Sequence, residues 1–166
     1  QNENPLMSLE IDGGLGDDSI VVNGAVTQGV TLRGESGADT LQGGGGADVV
    51  DGGPGDDVLR VSGSDAEFDT LLGGAGYDEV RNVGAADVVL NQFNSQFDVD
   101  STGIDRWNGA GYAIVGNASA NGIHLGFLQV DNVPTVAGAD GNDDITTAHE
   151  HVTATEYDGG DQMTTD

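Results

Sequence analysis

Val, Ile and Leu are scattered along this chain at short, regular intervals, with almost no helix signal. In residues 1–12 the segment PLMSLEID alternates apolar and polar positions, the period-two rhythm of a strand with one covered face. The rhythm returns in DVVLNQF, YAIVGN, IHLGFLQV and TATEYD, with Asn and Gly between them. The expectation is an all-β protein built from short strands.

A fixed period organises the aliphatic positions. Aligned on Gly-Gly-x-Gly-x-Asp-x-aliphatic, the chain gives GGLGDDSIV (13–21), GESGADTLQ (34–42), GGGGADVVD (43–51), GGPGDDVLR (52–60) and GGAGYDEVR (73–81). Weaker copies are NVGAADVVL (82–90) and GADGNDDIT (138–146). Starts at 13 and 34, and at 52 and 73, are separated by the same interval, one nonamer plus a longer insert. Shifting the segment 13–51 onto 52–90 lays VNG (22–24) over VSG (61–63). The nonamer resembles the RTX, or hemolysin-type, calcium-binding repeat. That resemblance implies a right-handed parallel β-roll or β-solenoid: each nonamer is a tight turn followed by a short strand, two nonamers make one coil, and Ca²⁺ sits between turns stacked on one side. Such repeats are common in secreted or surface proteins of Gram-negative bacteria, many of them exported by type I machinery. It is specific for 13–90, weaker for 138–166 and only suggestive between them.

The residue types suit that fold. Glycine at positions one, two and four permits positive φ and close backbone approach. The eighth-position aliphatics Ile20, Leu41, Val50, Leu59 and Val80 are expected to point into the coil and to form a thin continuous core once coils stack. If each half-coil changes sides, turns starting at 13, 34, 52 and 73 stack on one edge, and Asp18, Asp39, Asp57 and Asp78 form a carboxylate ladder there. The opposite edge then holds the inserts and the turns starting at 43 and 82.

Charge makes that ladder a problem. The chain carries 29 acidic residues against 4 basic ones, a formal charge of −25, and 29 glycines. Parallel strands lie ~4.8 Å apart, and carboxylates at roughly 5 Å repel by about 3 kcal/mol at an effective dielectric near 20. Several such pairs rival the whole stability of a domain, ~5 to 15 kcal/mol. A divalent cation between rungs reverses the sign, and Ca²⁺ accepts six to eight oxygens in flexible geometry. Cysteine is absent, so soft, thiolate-loving metals and disulfides are excluded. The expected calcium ligands are Gly13, Leu15 and Asp18; Gly34, Ser36 and Asp39; Asp48; Gly52, Pro54 and Asp57; Gly73, Ala75 and Asp78; and Asp144. Three sites are expected on the first edge, between turns 13/34, 34/52 and 52/73, whereas Asp48 has only inserts as neighbours.

The same charge argues against nucleic acid as a partner, and no apolar run approaches the ~18 to 20 residues of a membrane span. Residues 1–90 read as the β-roll, 91–137 as calcium-poor coils with longer turns, and 138–166 as a further RTX-like coil that breaks off, which reads as an excerpt of a longer array. Phe93, Phe97, Trp107, Tyr112 and Phe127 gather where ions are fewer, and core packing is favoured for them over a sugar-binding strip. His149-Glu150-His151 reads as a solvated strand, Asn117-Ala118-Ser119 as a chance glycosylation match, and no catalytic constellation stands out. Taken together these features point to a calcium-dependent structural module of a secreted or cell-surface protein, an adhesin, surface layer or fibre, with end-to-end self-association possible through uncapped coils. An accessory or export module of a secreted hydrolase or polysaccharide-modifying enzyme is the alternative.

Overall fold

The computed structural model describes residues 9–63, 69–90, 102–116, 122–125, 128–138, 144–147, 153–155 and 162–165, and every regular element among them is a strand. In the first half the strands come in pairs: β1 (Leu9–Leu15) and β2 (Ser19–Val21), β3 (Val30–Ser36) and β4 (Thr40–Gln42), β5 (Val49–Pro54) and β6 (Val58–Val61), β7 (Thr70–Ala75) and β8 (Asp78–Asn82). All pairing is parallel. One sheet has the order β1-β3-β5-β7, and the facing one includes β2-β4-β6-β8 in the same succession. The fold is therefore a parallel β-roll in which each coil gives one strand to each wall.

Register follows the repeat length. Leu9 pairs with Val30, Thr31 with Val49 and Val49 with Thr70. These successive steps are a nonamer plus insert, then two nonamers, then a nonamer plus insert again. Because the insert occupies a half-coil, one residue type returns to one height in every coil.

The core is the column of eighth-position aliphatics. Leu41, Leu59 and Val80 are fully buried and pair in direct succession, facing Leu32, Val50 and Leu71 of the other wall. Ile20 is only partly covered because β2 ends its sheet. The weak copy at 82–90 departs from the pattern: it buries Val88, its seventh position, in place of Val89.

Beyond this point the coil changes form. β9 (Val88–Leu90) leaves the first wall and pairs with β11 (Ile114–Gly116), which continues to β14 (Thr135–Ala137) and β16 (Thr153–Thr155). β10 (Ile104–Asn108) and β13 (Gln129–Asp131) extend the second wall, and β12 (Gly122–Leu125), β15 (Asp144–Thr147) and β17 (Gln162–Thr165) form a further sheet. Successive strands thus visit three sheets, and the interior is wider. Trp107 fills it without exposure, alongside Ile104, Ile114, Leu125, Leu128 and Ile145. This places Trp107 in the core; Tyr112 is half-buried, and Phe93, Phe97 and Phe127 lie outside the described residues.

Neutral amides close several turns at the second edge. Asn23, Asn82 and Asn108 each accept a hydrogen bond from the backbone N–H two residues ahead, at 2.9, 2.9 and 3.1 Å. Asn82 is almost fully buried, and its Nδ2 donates to the carbonyls of Ala86 and Gly109. Amides here close turns that elsewhere in the roll are built around carboxylates. Among the described residues no helix is long and apolar enough to cross a membrane.

Candidate metal centre

The first edge of the roll is formed where β1, β3, β5 and β7 turn into β2, β4, β6 and β8. Tight stacking there depends on glycine. Gly53, for example, has φ +98°, and a Cβ on it would run into the Glu35 carbonyl of the coil beneath. Backbone hydrogen bonds join the turns: Gly16 N–H donates to Ser36 O (2.7 Å), Gly37 N–H to Pro54 O (3.1 Å) and Gly55 N–H to Ala75 O (2.8 Å).

The sixth-position aspartates Asp39, Asp57 and Asp78 are buried in their turns and reach the coil before. Oδ1 of Asp39 accepts from the Asp18 N–H at 2.7 Å, Oδ1 of Asp57 from the Asp39 N–H at 2.7 Å, and Oδ1 of Asp78 from the Asp57 N–H at 2.9 Å. The four aspartates therefore form one column, and the structure brings turns 13, 34, 52 and 73 together. A second column uses fifth positions: Asp17 accepts from the Ala38 N–H and Asp56 from the Tyr77 N–H, both at 2.9 Å.

The other carboxylate oxygen is different. Oδ2 of Asp18, Asp39, Asp57 and Asp78 is buried with no hydrogen-bond partner. A buried carboxylate oxygen left so is costly, of order 1–3 kcal/mol or more for a charged group. Each faces a small space at a first-position glycine, beside a carbonyl from the next coil. A Cβ built on Gly13 would lie 2.9 Å from Asp18 Oδ2 and 2.9 Å from Gly34 O. On Gly34 it would meet Asp39 Oδ2 and lie 2.5 Å from Gly52 O; on Gly52 it would meet Asp57 Oδ2 and lie 2.6 Å from Gly73 O. Each cradle thus brings a lone carboxylate oxygen and an inward carbonyl to one point. Among the described residues no three acidic or imidazole side chains converge, and what each cradle offers is a carboxylate oxygen and a backbone carbonyl. Hard oxygen donors in an adaptable loop suit Ca²⁺ and offer nothing to a soft metal.

The family comparison decides between an acidic turn and a metal-binding one. Residues 31–59 match the RTX calcium-binding nonapeptide repeat in four copies. The chain carries RTX repeats. No curated protein and no solved structure gives a significant match. The RTX match covers turns 34, 43 and 52, and the same cradle geometry extends to the turn at 13 outside it.

On the second edge the RTX turn at 43–48 stands alone. Asp48 is buried, its Oδ1 accepts from the Val30 N–H at 2.8 Å, and its Oδ2 is again buried without a partner. Its own N–H donates to Oδ1 of Asp69 at 2.9 Å. Asp69 ends an insert and does not belong to any nonamer, so motif alignment overlooks it. Its signal is Asp69-Thr70-Leu71, the same Asp-x-apolar ending as Asp48-Val49-Val50. Asp105 is the other residue missed, in Asp105-Arg106-Trp107; its Oδ2 accepts from the Asp78 N–H at 2.8 Å. Asp87 is exposed and accepts from the Ala113 N–H. Asp144 opens β15, opposite Gly122 and Gln162, and its side chain lies outside the described residues, as do His149, Glu150, His151 and Asn117–Ser119.

Burial raises the pKa of Asp48, Asp57 and Asp78. Desolvation pushes Asp78 up to about 6, with further upward push from the charges of Asp57, Asp105 and Asp56 against the opposing Asp57 N–H bond. Burial likewise raises Asp57, opposed by the Asp39 N–H and reinforced by Asp39, Asp56 and Asp51. It raises Asp48 against the N–H groups of Val30 and Gly44. A carboxyl whose folded pKa is raised holds its proton more tightly when folded, so the stability it confers is complete below the ordinary carboxylate range and is lost as pH rises through the folded value. In chelator, the folded fraction should accordingly fall as pH rises from about 4 through about 6. With calcium present the trend should reverse, because protons compete with the ion for the same oxygens. Far-ultraviolet circular dichroism across that window, with and without chelator, checks both slopes.

Proposed function

We propose that this chain is a calcium-dependent structural module of a secreted or cell-surface protein, ordered by ions taken up between its coils. One observation carries the reading: in every stacked turn of the first edge, a buried aspartate Oδ2 without a partner faces a carbonyl of the next coil. The proposed ligands are the carboxylates of Asp18, Asp39, Asp57 and Asp78 with carbonyls of the glycines at 13, 34, 52 and 73. Leu15, Ser36, Pro54 and Ala75 contribute their carbonyls' remaining lone pairs, and Asp48 and Asp144 serve lesser sites. On this reading 1–90 is the calcium-held roll, 91–137 a calcium-poor stretch and 138–166 a further RTX-like unit. The matched repeat is a calcium-binding nonapeptide, which supports a structural role for this chain. An adhesin, surface layer or fibre suits a rod that is stiff outside the cell and loose inside it, where calcium is scarce.

Extracellular calcium modules bind at ~10⁻⁴ to 10⁻³ M, and binding energy becomes folding energy when the metal-free state repels itself. Small-angle scattering along a calcium titration tests this. At submicromolar calcium the radius of gyration should approach the ~43 Å of an unfolded chain this long, and at millimolar calcium it should fall to less than ~25 Å. A radius that stays small throughout contradicts the proposal.

A further inference from the structure

The cradle pattern does not stop with the last RTX turn. Asp78 is fully buried, and its Oδ2 lacks a partner as in the three turns before it. A Cβ on Gly73 would lie 2.7 Å from Asp78 Oδ2 and 2.6 Å from the carbonyl oxygen of Gly103. Gly103 belongs to STGID (101–105), which has no Gly-Gly-x-Gly-x-Asp spacing. It nevertheless meets two stacking demands at once. Its φ is +71°, and any Cβ on it would strike the Gly74 carbonyl, the contact that Gly74 itself makes with Gly53. Its own carbonyl stands where Gly34, Gly52 and Gly73 place theirs in the earlier coils.

The backbone is bent to arrange this. Ile104 pairs with Asp78 and Arg106 with Glu79, so Asp105 is an extra residue, a bulge in β10. Bulges re-aim side chains, and this one sets Asp105 Oδ2 2.8 Å from the Asp78 N–H, as Asp78 itself serves Asp57. Asp105 is thus a positioning residue that continues the column by one rung.

We infer that a fourth calcium ion binds between the last RTX turn and this non-repeat coil, held by Asp78 Oδ2 and the Gly103 carbonyl. The inference rests on the calcium reading above and adds a role to it: the ion staples the RTX roll to the three-sheet coils that begin at β10. Neutralising Asp78 should free β10 while leaving the earlier coils bound.

The test counts ions on the full chain by native mass spectrometry at saturating calcium and follows hydrogen exchange in 104–108. Asp78→Asn keeps an acceptor for the Asp57 N–H and should bind one ion fewer than the unmodified chain, with at least a tenfold loss of protection in 104–108 and none in 30–42. Gly103→Ala, which leaves Asp78 intact, should give the same deficit and serves if the first variant does not fold. Asp57→Asn should also lose one ion. If Asp57→Asn loses an ion while Asp78→Asn and Gly103→Ala keep the full number, the fourth site is overturned and the calcium roll stands. If no variant changes the number, or the unmodified chain binds none, the calcium reading falls and the fourth site with it.

Discussion

Gly52→Ala should damage the roll severely through a single methyl group. Gly52 is buried and its φ is not positive, so alanine meets no conformational penalty there. The Cβ would instead enter the cradle between Asp57 Oδ2 and Gly73 O, while the Gly52 carbonyl is itself the inward oxygen of the cradle at Gly34. One methyl thus blocks one ion and displaces a ligand of another. Overpacking costs about 1–3 kcal/mol by itself, and each tenfold of calcium affinity lost adds about 1.4 kcal/mol. The expected result is a rise of at least tenfold in the calcium concentration at half-folding, and a melting temperature lower by several degrees at saturating calcium. Gly24→Ala is the control. A Cβ there meets nothing within 4 Å and its φ is not positive, so its effect should stay within about 0.5 kcal/mol.

Asp57→Asn should change sign with calcium. The amide keeps an oxygen for the Asp39 N–H, the 2.7 Å bond that ties two coils, but removes the charge. In chelator this relieves the burial of a carboxylate between Asp39 and Asp78, whose column spacing implies a repulsion of about 3 kcal/mol per neighbour at an effective dielectric near 20. The metal-free protein should become more stable. At saturating calcium the same substitution removes an anionic ligand, and the protein should become less stable. Osmolyte-driven refolding in chelator and thermal melts at saturating calcium, each on the variant and the unmodified chain, read both signs. A purely structural aspartate would shift both conditions in one direction.

Much of this was legible in the sequence because the repeat fixes two things locally. Glycines mark where the chain can turn tightly, and the eighth position marks what the turn delivers into the core; Leu41, Leu59 and Val80 lie there with no exposure. Edge assignment follows from adding up nonamers and inserts, and turns 13, 34, 52 and 73 do share an edge. What stayed hidden depends on pairing between coils. Asp69 and Asp105 join the columns from an insert and from a bulge, where no glycine signature precedes them. Their only mark is the apolar residue two places on, Leu71 and Trp107, too common a pattern to single out. The three-sheet coils were hidden for a related reason. Ile114 pairs with Val88 on one side and with Val136 on the other, unequal steps that match neither a doubled nonamer nor a nonamer plus insert. Once the step between coils varies, register is set by burial of Trp107 and its neighbours and no longer by a motif.

Asn and Asp also divide the labour in a way composition alone conceals. On the first edge carboxylates stack in a column, which needs a counter-ion. On the second, Asn23, Asn82 and Asn108 close turns with neutral amides. The arginines sit on the outer walls: Arg33 pairs with Glu10 at 2.6 Å, and Arg106 joins Glu79 and Asp131 at 3.1 and 2.8 Å. A surface pair such as Arg33–Glu10 is worth ~0–1 kcal/mol, and the part-buried Arg106 neutralises only Glu79 and Asp131, too little to offset a formal charge of −25. On the proposed reading the column is neutralised by calcium taken up from outside the chain.

Far-ultraviolet circular dichroism at pH 7, with calcium in millimolar excess and then with excess chelator, tests that dependence most directly. Ions holding the coils together require the strand signal to collapse on chelation and to return when calcium is restored. A spectrum and melting temperature that do not change on chelation would mean that the aliphatic column alone holds the roll, and the carboxylate cradles would then have no part in its folding.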